Sequence, residues 1–122
     1  MSSKPDVRIR RIYEAPSSQD GKRILVDRLW PRGVSKDAGA FDEWLKEVAP
    51  SSELRQWYRH EPARFDEFKR RYMAELNGDG KQHEAWQRLV SEAGQGPVTL
   101  LTATRDIERS EAAVLADELM RQ

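Results

Sequence analysis

The chain has 122 residues, 21 Lys and Arg against 21 Asp and Glu, no cysteine, and a mean hydropathy of −0.85. That length suits one domain, since domains cluster at roughly 100–150 residues, and residues 1–122 read as a single unit. Zero cysteine excludes a disulfide framework, a zinc–thiolate site and a cysteine nucleophile. No apolar run approaches the roughly 20 residues a bilayer span needs, so no membrane partner is expected. The polar start, Met1-Ser-Ser-Lys-Pro-Asp6, lacks the apolar stretch of a signal peptide, which makes the cytoplasm the expected location.

Balanced charge hides an uneven distribution. Residues 1–36 hold nine basic and four acidic side chains, a surplus of five, and the remainder carries the opposite excess. A basic N-terminal third faces either an anionic ligand or the acidic helices of its own fold.

Alternation in Val7-Arg-Ile-Arg-Arg-Ile-Tyr13 predicts a half-exposed strand. After the turn formers of residues 15–21, the unbroken Ile24-Leu25-Val26 predicts a strand buried on both faces, ended by Pro31 at the latest. Phe41, Trp44, Leu45 and Val48 share one helical stripe, stopped by Pro50. Ser51 or Ser52 caps a short helix with Leu54, Trp57 and Tyr58. Pro62 opens a longer one through Phe65, Phe68, Tyr72 and Leu76, and Trp86, Leu89, Val90 and Ala93 mark a fourth before Gly94. Val98-Thr-Leu-Leu-Thr-Ala103 then predicts a buried strand, and Ala112, Leu115, Ala116 and Leu119 a last helix. The order β-β-α-α-α-α-β-α predicts a small, three-layer-like α/β domain. Its short sheet has about three strands and is partly parallel, with a helical insertion. An antiparallel N-terminal hairpin is the alternative.

Open α/β sheets collect ligands beyond the carboxyl ends of their strands. Two segments leave strands there. In residues 27–36, Asp27 needs a partner, which an arginine would supply. Gly33 permits a tight turn, and Arg28, Trp30, Arg32 and Lys36 offer contacts to a carboxylate or phosphate. In residues 102–106, Thr102, Thr104 and Arg105 are ligand candidates, unless Thr104 and Asp106 merely cap the last helix. Arg28 and Arg32 equally suit a structural ion-pair network. His60, at a helix boundary, and Asp27 are the acid–base candidates; His83 reads as exposed. Two isolated histidines without HExxH spacing, and no acidic cluster, point to no metal site. Gly78-Asp-Gly80 and Gly94-Gln-Gly96 are too short for a dinucleotide fingerprint and no P-loop is present, so no cofactor is expected. Lys69-Arg70-Arg71 lies among acids and reads as a solvated helix face.

Arg23-Ile-Leu-Val-Asp-Arg-Leu-Trp-Pro-Arg-Gly33, with Lys36, resembles the hallmark of the bacterial YeaO-like family, small proteins with a domain of unknown function. Pro50-Ser-Ser-Glu-Leu-Arg55, the His60-Glu-Pro62 corner and Leu100-Leu-Thr-Ala103 agree with it, and the resemblance covers about residues 7–120. It implies a compact cytoplasmic α/β domain without a settled activity. Relatives typically have Asn-His-Ala where this chain has Ser110-Glu111-Ala112. If that histidine is catalytic in them, its role here is lost or passes to Glu111. If it only caps, Ser110 serves equally.

The leading expectation is a domain that binds a small anionic ligand, phosphorylated or not, at the strand ends, with hydrolysis or group transfer as the reaction if there is one. The alternatives are a nucleic-acid-associated or regulatory protein using the basic third, and a protein-interaction module. Oligomeric state is open.

Overall fold

The computed structural model describes residues 5–35 and 41–121. Four strands form one sheet: β1 (Val7–Arg11), β2 (Lys22–Leu25), β3 (Glu43–Trp44) and β4 (Val98–Thr102). Their spatial order is β1-β4-β2-β3, and every pairing is parallel. The hairpin alternative fails because β4 inserts between β1 and β2. All carboxyl ends therefore point the same way, which concentrates the strand exits along one edge.

Side chains alternate across this sheet as strand geometry requires. Ile24, Val26, Val98 and Leu100 enter the main core, which takes residues from all four helices: α1 (Ser52–Tyr58), α2 (Phe65–Leu76), α3 (Lys81–Gln95) and α4 (Glu111–Met120). Leu25 and Leu101 face the other way, into a small cluster with Ile12, Val34, Phe41, Trp44 and Ala103. Among the described residues, no helix contributes to this second face. Each of the fully buried Leu and Ile side chains on β2 and β4 stabilises the fold by about 1.5–3 kcal/mol.

The helix expected around Phe41–Val48 is instead β3 followed by a 3₁₀ turn, Lys46–Val48. Its i, i+3, i+4 spacing matches the stripe of a helix, but eight residues before Pro50 are too few to sustain one alone. Glu43 and Trp44 pair with Ile24 and Leu25, and Leu45 and Val48 fall into the main core through the turn.

Two other boundaries carry the site. The Val26 amide still bonds the Leu101 carbonyl at 3.1 Å, but at the next position Asp27 Oδ2 accepts the Ala103 amide at 2.8 Å. A side chain has replaced the ladder acceptor, so β2 ends well before Pro31. At the other end Gly21 has φ +63°, and a Cβ there would lie 2.1 Å from the Pro97 carbonyl oxygen. Only glycine allows that approach, from which the Lys22 amide bonds Pro97 and sets the β2–β4 register.

Candidate functional site

The carboxyl edge of the sheet carries a cavity of about 420 Å³, lined by Tyr13, Asp27, Leu29, Trp30, Pro31, Arg32, Arg55, Ala103 and Thr104. Tyr13 follows β1, Asp27 follows β2 and Thr104 follows β4, so the parallel topology brings three exits to one mouth. Arg55 is brought by α1, whose start is fixed locally. Ser51 caps it, its hydroxyl accepting the Leu54 amide at 3.1 Å and donating to Glu75 Oε2 at 2.6 Å. Arg55 Nη2 donates to Ser52 at 3.1 Å, while its Nε is buried and has no hydrogen-bond partner.

Of the residues singled out in the sequence, Asp27, Trp30, Arg32 and Thr104 line this cavity. Arg32 is exposed and forms no ion pair among the described residues; its carbonyl accepts the Tyr13 hydroxyl at 2.9 Å. Gly33 is exposed with φ +77°, the turn that returns the loop. Trp30 is half-buried, donates to the Val34 carbonyl at 2.7 Å, and packs edge-on against Phe41 and Trp44 at 5.4 and 5.3 Å, so it builds the wall. Arg28 points elsewhere: it donates to the Ala49 carbonyl at 3.2 Å and lies 3.9 Å from Glu47. Lys36 lies outside the described residues.

Asp27 has no arginine partner among the described residues, contrary to expectation. One carboxyl oxygen takes the Ala103 amide; the other, Oδ1, is buried with no donor assigned to it. Next to the Asp27 side chain lies the carboxyl of Glu111, the first residue of α4, whose Oε1 accepts the Thr102 hydroxyl at 3.3 Å. Burial pushes the Glu111 carboxyl well above the usual carboxylate range, and hydrogen bonding to Asp27 and its charge push the same way. Thr102 is buried, its hydroxyl donating to Glu111 and accepting the Thr104 amide at 3.1 Å, and it is not among the residues that line the cavity.

The residues after β4 do not open α4 directly. A 3₁₀ turn, Ile107–Arg109, intervenes, and Ser110 caps the helix by accepting the Ala113 amide at 3.3 Å. Thr104 and Asp106 are therefore not its caps. His60 is exposed with φ 56°, beside Arg59 at φ 49°, a pair of left-handed non-glycine residues. It borders a second cavity of about 340 Å³ with Thr104, Arg105 and Asp106, and it does not line the first. His83 is half-buried, its Nδ1 2.9 Å from the Leu76 carbonyl, rather than exposed.

Sequence reasoning passed over Arg55, Tyr13 and Leu29 as site residues, and it weighed Glu111 only as a replacement for another side chain. For Arg55 the signal was present in the capped helix after Pro50. For Tyr13 it required knowing that β1 and β2 end at the same edge.

An α/β domain whose described strands all run parallel, with a cavity where three of them exit, is the class that this geometry defines. The chain belongs to the DUF488-N3i family, described as the inactive DUF488-N3 subclade, whose model matches residues 6–122. It is similar to the uncharacterized protein Rv3073c of Mycobacterium tuberculosis, 50% identical over 93% of this chain and 92% of that one. It is also similar to the uncharacterized protein YeaO of Escherichia coli, 43% identical over 93% and 96%. The YeaO-like resemblance is thereby confirmed. No solved structure matches it. Among the described residues no helix is long and apolar enough to cross a membrane.

Proposed function

We propose that this domain binds a small organic anion in the cavity at the carboxyl edge of its sheet and does so without chemical turnover. The observation that carries the reading is Arg55: a guanidinium on a short, firmly capped helix lines the cavity with its Nε unpartnered. A buried donor without an acceptor costs roughly 1–3 kcal/mol, and an incoming carboxylate or phosphate oxygen relieves that cost if the group reorients slightly. Arg32, exposed at the rim and free of ion pairs among the described residues, is the second cation. Leu29 is 70% exposed and Tyr13 47%, and both border the same mouth, so the occupant has an apolar part beside its charge.

Binding is favoured over hydrolysis or transfer by the family's description as inactive. The Tyr13 hydroxyl is engaged with a backbone carbonyl and no histidine lines this cavity, which agrees with it. His60 remains a neighbour by way of Thr104. The nucleic-acid alternative has less support: Arg8, Arg10 and Arg23, from the basic third, pair with Asp6, Glu14 and Asp20.

The test is a thermal-shift screen of carboxylates, sugar phosphates and nucleotides against wild type, Arg55→Ala and Arg32→Ala. A ligand at 100 times its Kd adds about 2.7 kcal/mol to stability. A shift lost in Arg55→Ala supports the site; a shift that both variants retain refutes it.

A further inference from the structure

Beneath the cavity the fold keeps two acids together that it could have separated. Asp27 supplies part of the cavity wall, and Glu111 sits behind it at the start of α4. Neither carboxyl has a cationic partner among the described residues. Asp27 Oδ1 is buried with nothing to donate to it. Its sister oxygen is held by the Ala103 amide and Glu111 Oε1 by the Thr102 hydroxyl, so both side chains are fixed in place. A proton on a facing acid satisfies such a buried acceptor directly.

We propose that Asp27 and Glu111 hold one proton between their carboxyl groups, and that an anion in the cavity above is bound together with this proton. The inference rests on the anion-binding reading and adds a linked ligand to it. Glu111 donates to Asp27 Oδ1, so the pair carries one negative charge instead of two. An anion that reaches Arg55 and Arg32 then meets a singly charged floor. Loss of the proton places a second charge beneath it and weakens binding; by reciprocity, bound anion tightens the proton's hold. The raised proton affinity that burial gives Glu111 agrees with this.

The other groups around the pair are placed for the same outcome. From α2, Tyr72 and Glu75 lie nearby, and Tyr58 on α1 feels the charge of Glu111. The Tyr72 hydroxyl donates to the Val48 carbonyl and the Tyr58 hydroxyl to the Arg109 carbonyl, so neither donates to the acids. Glu75 is occupied by Ser51 and Gln82. Arg28 donates through Nη2 to Ala49 and lies near Glu47, and Arg11 donates through Nη2 to the Ala103 carbonyl; the Nε of each is buried without a hydrogen-bond partner, and neither forms an ion pair with Asp27 or Glu111. Beyond α4, Arg109 pairs with Asp106.

The probe is benzenesulfonate, an organic anion whose charge does not change with pH. Its binding is measured by calorimetry from pH 5 to pH 9.5 on wild type, Glu111→Gln, Asp27→Asn and His60→Gln, with circular dichroism confirming the fold at each pH. Wild-type affinity falls by about fivefold or more toward alkaline pH. His60→Gln keeps that fall. Glu111→Gln, which retains a donor toward Asp27 but cannot ionise, binds with a flat profile, and Asp27→Asn also loses the fall. The same alkaline fall in Glu111→Gln overturns the proposal. Infrared spectroscopy supplies an arm independent of the ligand: wild type at neutral pH shows a protonated-carboxyl band that Glu111→Gln lacks. Absence of that band also overturns it. If the band is present and benzenesulfonate binds at no pH, the coupling falls with the anion reading, and the shared proton alone stands.

Discussion

The two ends of the sheet treat carboxylates in opposite ways. At the amino end, Glu43 lies 3.0 Å from Lys22 Nζ and accepts two hydrogen bonds from Arg88, at 2.6 and 2.8 Å. The Arg88 guanidinium, followed by Lys22, holds its carboxyl down at about 2. Next to it Asp20 and Arg23 form a buried ion pair at 2.5 Å, and the Ser17 amide and then Arg23 keep Asp20 below its ordinary value. At the carboxyl end, Asp27 and Glu111 face each other, and Glu111 is driven upward by burial. Charge is neutralised where the strands begin and left concentrated where they end. Ion pairs at the first edge add stability above acid pH. An acid pair at the second subtracts it as pH rises, and such local costs collect at functional sites.

The largest effect is expected from breaking the buried pair at the amino end. Arg23→Met leaves Asp20 buried without its guanidinium and lowers unfolding free energy by about 3 kcal/mol or more, read by urea denaturation at pH 7. Glu43→Gln is milder, because Arg88 is half-exposed and water screens the pair. It costs about 1–2 kcal/mol at neutral pH. The sign follows from a lowered carboxylate: the stability is present above the ordinary value near 4.5 and is lost as pH falls through about 2. The cost of Glu43→Gln therefore fades on acidification, and a cost unchanged at pH 2 would contradict the pairing.

Glu111→Gln has the opposite sign. A raised carboxyl contributes stability that is complete below its ordinary value near 4.5 and is lost as pH rises through the folded value. Replacing it with a neutral amide gains about 1 kcal/mol at neutral pH and more at pH 9, so the variant's melting temperature pulls away from wild type as pH increases. A destabilised variant with a parallel pH curve would place Glu111 among ordinary structural acids. Ser110→Ala removes the cap that seats Glu111 and costs about 1 kcal/mol, with little pH dependence. The smallest effect belongs to Tyr13→Phe. It deletes one exposed hydrogen bond to the Arg32 carbonyl, costs about 0.5 kcal/mol, and frees the cavity rim, seen as faster amide exchange in the residues around Arg32.

Strand and helix identities were legible wherever a period ran long enough. The apolar Ile24-Leu25-Val26 and the β-branched, mostly apolar Val98-Thr-Leu-Leu101 mark the two inner strands, and the stripes through Phe68, Tyr72 and Leu76 and through Trp86 and Leu89 became the packed helices. Residues 41–48 misled because a helical stripe of that length also describes a bridge and a turn that bury the same side chains. At the site, Asp27, Trp30, Arg32 and Thr104 could be singled out because charged and polar residues at the end of a buried strand require a reason. The pairing of Asp27 could not. Arginine was the cheapest partner that local sequence offered, and the actual neighbour is an acid far along the chain.

Composition and pattern alone determined a cysteine-free α/β fold and marked the exits of its buried strands as places where charged and polar residues collect, since periodicity and burial are local properties that residues carry with them. Only the tertiary structure decided that β4 separates β1 from β2, that all strands run parallel, and that Arg55, Tyr13 and Glu111 meet Asp27 at one edge. Those are long-range choices. They depend on which buried surfaces fit together across the whole chain, and no stretch of sequence short enough to show a period contains both partners.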